Sequence, residues 1–96
     1  MAIKRVDANH REISQALRQV GAVVLDLHSL PACLDLLVAF RCSLHILEVK
    51  DGSKPAARRK LTPAEQETIR LLASVGVEAH IVNSTEEALR AIGAIL

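Results

Sequence analysis

Apolar residues along the chain switch between a helical period and a strand period, and the switches mark the elements. From Asp7 to about Val20, the residues Ile13, Ala16, Leu17 and Val20 recur at the spacing of one helical face, and Gly21 supplies a stop. Ala22-Val-Val-Leu-Asp-Leu27 is aliphatic and β-branched and predicts a strand, followed by a loop from His28 to Ala32 that contains Pro31. Leu34 to Phe40 and Leu44 to Lys50 predict two more strands. Only Arg41, Cys42 and Ser43 separate them, so an antiparallel hairpin is expected, with Cys42 in a tight turn where glycine would be easier.

Asp51 to Lys60 combines glycine, proline and charge without an apolar period and predicts a loop. Thr62-Pro63-Ala64-Glu65 has the form of a capping box with proline at the first helical position, and Ile69, Leu72 and Ala73 carry a helical stripe to Gly76. Val77 to Val82 predicts a fourth strand. Ser84-Thr85-Glu86-Glu87 then opens a last helix through Leu89, Ile92 and Ile95. The expected order is helix, three strands, helix, strand, helix, in one α/β domain over 1–96 with no internal repeat or linker.

Composition narrows the function classes. Half of the 96 residues are apolar, which argues against disorder, and Phe40 is the single aromatic. Stacking of bases on aromatic platforms is therefore not expected, and Phe40 is assigned to the core or an interface. The formal charge of +1 neither requires nor excludes a nucleic-acid partner, so only local clustering bears on that. Cys33 and Cys42 have no second pair at zinc-site spacing and are read as reduced thiols. The first residues lack an apolar signal region and no run is long enough for a bilayer, so the expectation is a soluble cytoplasmic protein. His10, His28, His45 and His80 are scattered, and none is assigned a ligand role.

The chemistry concentrates at the end of the predicted hairpin. Strand alternation puts Leu44, Ile46, Glu48 and Lys50 on one face and His45, Leu47 and Val49 on the other. A hairpin running from Leu34 to Lys50 pairs its first residues with its last, which brings Asp35 within a residue or two of Glu48 and Lys50. Two carboxylates and the main-chain carbonyl of Val49 make an oxygen-lined pocket suited to Mg²⁺ or Mn²⁺ rather than zinc. Lys50 beside it is suited to positioning a water or neutralising charge on a phosphate as a bond breaks. Glu-x-Lys alone is common on solvated strand edges; the matching Asp35 and the element order raise it to a candidate site. Lys54, Arg58, Arg59 and Lys60 form a basic loop whose charges suit DNA phosphates, the alternative being a solvated loop.

Asp35-Leu-Leu-Val38 followed after thirteen residues, Asp35 to Glu48, by Leu47-Glu48-Val49-Lys50 resembles the PD-(D/E)xK nuclease signature. The element order is similar to the αβββαβ core of that restriction-endonuclease-like fold, with a C-terminal helix added. The compact VRR-NUC branch, found in phage and bacterial proteins and similar to archaeal Holliday junction resolvases, matches best. The likeness continues from Glu48-Val-Lys-Asp-Gly52 to Leu61-Thr-Pro-Ala-Glu-Gln66 and covers essentially the whole chain. It implies a Mg²⁺- or Mn²⁺-dependent, structure-specific DNA endonuclease acting as a homodimer on branched DNA. It also implies that Glu12 on the first helix and Gln66 on the second accompany Asp35, Glu48 and Lys50. The sequence departs from the family at Ala32-Cys33-Leu34, where proline, often preceded by glycine, would stand before the Asp. That departure supports a rival expectation, a non-catalytic nucleic-acid-binding or assembly subunit that keeps the fold. With no aromatic platform and no recognition helix, selectivity is expected from DNA shape and backbone contacts.

Overall fold

The computed structural model describes residues 9–27, 29–30, 34–55 and 60–96. His28, Cys33 and two of the four basic-loop residues, Arg58 and Arg59, lie outside them. The elements are α1 (His10–Gln19), β1 (Val23–Asp26), β2 (Leu36–Phe40), β3 (Ser43–Val49), α2 (Pro63–Ser74), β4 (Ala79–Val82) and α3 (Thr85–Ala91), in the order expected from the periodicity. Together they form an α/β unit with one four-stranded mixed sheet, ordered β1-β2-β3-β4, in which β3 and β4 are parallel and the other neighbours antiparallel. Among the described residues, no helix is long and apolar enough to cross a membrane.

Local chemistry explains the boundaries, including three of those that differ from expectation; α3 also ends at Ala91, short of the expected Ile95. The hairpin turn holds two residues, not three: Ser43 pairs with Phe40, and Arg41 and Cys42 take φ values of 48° and 67°. Two successive left-handed residues match the right-handed twist of the strands they join. The Arg41 guanidinium carbon lies 4.7 Å from the centroid of the Phe40 ring, covering it. β2 begins at Leu36, so Asp35 stands just before the strand, because its side chain is engaged elsewhere. β4 begins at Ala79 rather than Val77. The Val77 N–H donates to the Leu72 carbonyl and the Gly76 N–H to Ala73, closing α2 in a reverse turn that needs the φ of +84° at Gly76. Gly21, at φ +92°, closes α1 in the same way. At the other end of α2, Glu65 N–H donates to Thr62 Oγ1 (3.1 Å) and Thr62 N–H to Glu65 Oε1 (2.9 Å), the expected reciprocal cap.

The two faces of the sheet carry different residues. Register puts Val24, Leu36, Val38, Phe40, Leu47, Val49 and Val82 on one side, where Ile13 and Leu17 of α1, Ala88 of α3 and Ile92 at the C-terminal cap of α3 close over them into the core. The other side presents Val23 and Leu25 of β1, Leu37 and Ala39 of β2, Leu44 and Ile46 of β3, and Ala79 and Ile81 of β4, with Glu48 at its end. The β3-α2-β4 crossover brings α2 to this second side, but Glu65 is the helix's one buried residue. Asn9 ties the start of α1 to the sheet, its side-chain N–H groups donating to the carbonyls of Lys50 (3.1 Å) and Asn83 (3.0 Å).

Candidate active site

The site lies at the end of the β2–β3 hairpin away from the turn. Leu36 pairs with Leu47, so one step further Asp35 stands opposite Glu48. Both are buried. Because β2 stops at Leu36, the Val49 N–H meets the Asp35 carboxylate instead of a strand carbonyl, donating to Oδ2 at 2.8 Å. The Asp35 carbonyl in turn accepts from Leu27 N–H at 2.8 Å, so main chain holds the residue from two sides. A charge-assisted bond to a backbone amide is short and directional, and it fixes the carboxylate relative to β3.

Lys50 follows the last residue of β3 and turns its ammonium into the protein. Nζ is 3.2 Å from Glu48 Oε2 and 3.1 Å from Glu65 Oε1, and the side chain is 11 % exposed. The Glu65 oxygen that meets Lys50 is the one that accepts the Thr62 N–H, so the cap of α2 and the lysine contact are one structure. Burial pushes the Glu65 carboxyl up; the bonds from Glu48, from the Thr62 amide and from Lys50 outweigh it and hold the group at about 2. Burial likewise works against the Lys50 charge, but the Glu65 hydrogen bond and the Glu48 carboxylate raise its pKa above the ordinary lysine value. The result is an ammonium fixed in its charged form.

Asp35, Glu48 and Lys50, selected from the sequence, are thus brought together. Glu65 joins them, and the sequence reading missed it as a site residue. Its signal was present in the capping box that opens the helix after the Lys50 loop, but a cap already accounts for a glutamate at that position. Gln66, the neighbour expected at the site, is exposed and donates through Nε2 to the Leu61 carbonyl at 3.2 Å. Glu12 is exposed on α1 and lines an open cleft with Asn9, Asp51, Asn83 and Glu87, at the ends of β3 and β4. The amide and hydroxyl of Ser53, at 2.9 and 2.7 Å, hold the Asp51 carboxylate below its usual range. Lys54 and Lys60 are exposed at the two described ends of the basic loop. Among the described residues, no three His, Cys, Asp or Glu side chains converge as a metal cage. Compared with known proteins, the chain matches no family model, no curated protein and no solved structure.

Proposed function

We propose that the protein is a divalent-metal-dependent DNA endonuclease of the PD-(D/E)xK class, in its compact VRR-NUC form, hydrolysing phosphodiester bonds in branched DNA such as a Holliday junction. The observation that carries this reading is the burial of Lys50 against Glu48 and Glu65, with Asp35 opposite Glu48. Three buried carboxylates against one ammonium cost stability where apolar residues would pack without penalty. Such arrangements concentrate at functional sites.

The donor set fits Mg²⁺ or Mn²⁺, since Asp35, Glu48 and the Val49 carbonyl are hard oxygen ligands and the carboxylates outnumber the ammonium. When bound, the ion supplies Lewis-acid chemistry at the phosphate. Lys50, kept protonated by its two partners, donates a hydrogen bond to the phosphate oxygens as negative charge develops, or orients the attacking water. Hydrolysis adds water across one P–O bond: its oxygen joins phosphorus and the departing sugar oxygen takes up a proton. Glu65 is a positioning residue, acting through Lys50. Glu12 belongs to the reading as an acidic group at the neighbouring cleft, and Gln66 as an exposed amide one residue beyond Glu65. Lys54, Arg58, Arg59 and Lys60 meet phosphates flanking the cut.

The test is cleavage of four-way, flapped and linear DNA with and without Mn²⁺. Metal-dependent cutting that prefers branched DNA and disappears in Lys50→Ala supports the reading. Binding without cutting under any metal replaces it by the non-catalytic subunit. Alanine at Arg58, Arg59 and Lys60 is expected to weaken binding to all sequences and flatten its salt dependence.

A further inference from the structure

The open cleft where the ends of β3 and β4 meet the start of α1 has a volume of about 560 Å³, within the range of roughly 300–1,000 Å³ typical of small-molecule sites. Glu12 of α1, Asp51 of the loop after β3, and Glu86 and Glu87 of α3 stand on its walls, with no Lys or Arg among the described lining residues. Arg90 pairs with Glu86 at 2.7 Å, while Glu12, Asp51 and Glu87 form no ion pair among the described residues. Acidic walls alone are often just solvated surface. Three oxygens set these apart. Asp51 is 9 % exposed, and the Ser53 amide and hydroxyl both donate to its Oδ1, leaving Oδ2 without a donor among the described residues. Asn9 and Thr85 line the same cleft, and their buried Oδ1 and Oγ1 have no hydrogen-bond partner among the described residues. Buried polar atoms are normally paired, and one left alone costs stability that an incoming donor would restore.

We infer that this cleft binds a small aliphatic oligoamine, its ammonium groups distributed over the carboxylates of Glu12, Asp51 and Glu87. The donor set decides the class of ligand. Carboxylates and the Asn9 amide oxygen only accept hydrogen bonds, so the occupant must bring N–H donors and positive charge. An anion would be repelled, and an apolar ligand would leave the oxygens unmet. The spread of the carboxylates decides the ligand's size. A bare divalent ion gathers its oxygens at about 2.0–2.6 Å, and among the described residues no three acidic or histidine side chains converge in that way. Amines separated by methylene groups can instead reach carboxylates that come from three different elements. Asn9 is fixed for its part, because its Nδ2 donates to the Lys50 and Asn83 carbonyls and its Oδ1 is thereby held in place.

Of the residues named for cleavage the cleft shares only Glu12, and the test contains no DNA, so cleavage and amine binding stand or fall separately. Isothermal titration of the full chain with spermidine, at constant ionic strength, is expected to show saturable one-to-one binding with a Kd below about 1 mM. Glu12→Gln, at an exposed position on α1, is expected to weaken binding at least about tenfold. Asp51→Asn, which keeps an oxygen for the Ser53 bonds, is expected to do likewise; if it fails to fold, Glu12→Gln carries the test. Glu78→Gln removes the same charge from outside the cleft and is expected to change the affinity by less than about twofold. No saturation by about 10 mM spermidine overturns the inference, as does Glu12→Gln binding as tightly as Glu78→Gln. Mg²⁺ that excludes spermidine at lower concentration assigns the cleft to a hydrated metal ion. An amidated dilysine peptide, of equal charge, that binds more tightly assigns it to a basic protein segment. Either of these results also overturns the inference.

Discussion

The two sides of one sheet solve different problems. On the α1/α3 side, strand residues of every second position meet helix residues of a continuous stripe, and Leu36, Val38, Leu47 and Val49 are closed off from water. On the α2 side, the strands are as apolar, but the flanking helix buries a single residue, and that residue is a carboxylate. The first side is built for packing density, the second for holding one ammonium among carboxylates. Stability and candidate chemistry are therefore separated across the thickness of a single sheet, and substitutions on the two sides should fail in different ways.

The largest effect is expected from Lys50→Ala, which leaves Glu48 and Glu65 buried without their counter-charge. Cleavage should vanish, and chemical unfolding near neutral pH should show a loss of about 3–5 kcal/mol. A variant as stable as wild type would mean that the ion pairs are incidental. Leu47→Ala, on the core side, should cost about 2–5 kcal/mol by removing a fully buried side chain, while metal-dependent turnover of the folded fraction stays within a few-fold. Loss of turnover greater than loss of folded protein would show that the two sides are coupled.

Metal sharpens the comparison further. At a hundredfold excess over its dissociation constant, Mg²⁺ or Mn²⁺ should add about 2.7 kcal/mol of stability to wild type and little to Glu48→Gln, read as thermal midpoints against an EDTA control. An equal gain in both proteins would remove Glu48 from the ligand set. Smaller and confined to acid is the effect of Glu65. Its folded pKa of about 2 lies below the 4.5 of an ordinary glutamate, so the unfolded chain binds the proton more readily between those values. The stabilisation is present above about pH 4.5 and is lost as pH falls toward about 2. Urea unfolding across that window should show wild type weakening with acid and Glu65→Gln, which keeps an oxygen for the Thr62 amide, showing a shallower fall. Val75→Ala marks the lower limit: this exposed position at the end of α2 should change monomer stability by no more than about 0.5 kcal/mol.

The element order and the caps were legible from sequence because each rests on short-range physics. The Thr62–Glu65 box is complete within four residues, and the turns at Gly21 and Gly76 depend on a backbone conformation few other residues adopt. The juxtaposition of Asp35 with Glu48 was also legible, since a hairpin with a two- or three-residue turn allows little freedom of register. What the chain by itself determined, then, was which segments become strands and helices, and that an acidic residue faces Glu-x-Lys at the hairpin's end. Only the tertiary structure decided that Glu65 rather than Gln66 reaches Lys50, because that contact depends on how the β3-α2-β4 crossover returns and on the phase at which α2 begins. The tertiary structure alone likewise separated the filled face from the open one. Alternation along a strand distinguishes two faces, but an aliphatic residue reads the same whether a helix covers it or nothing in its own chain does.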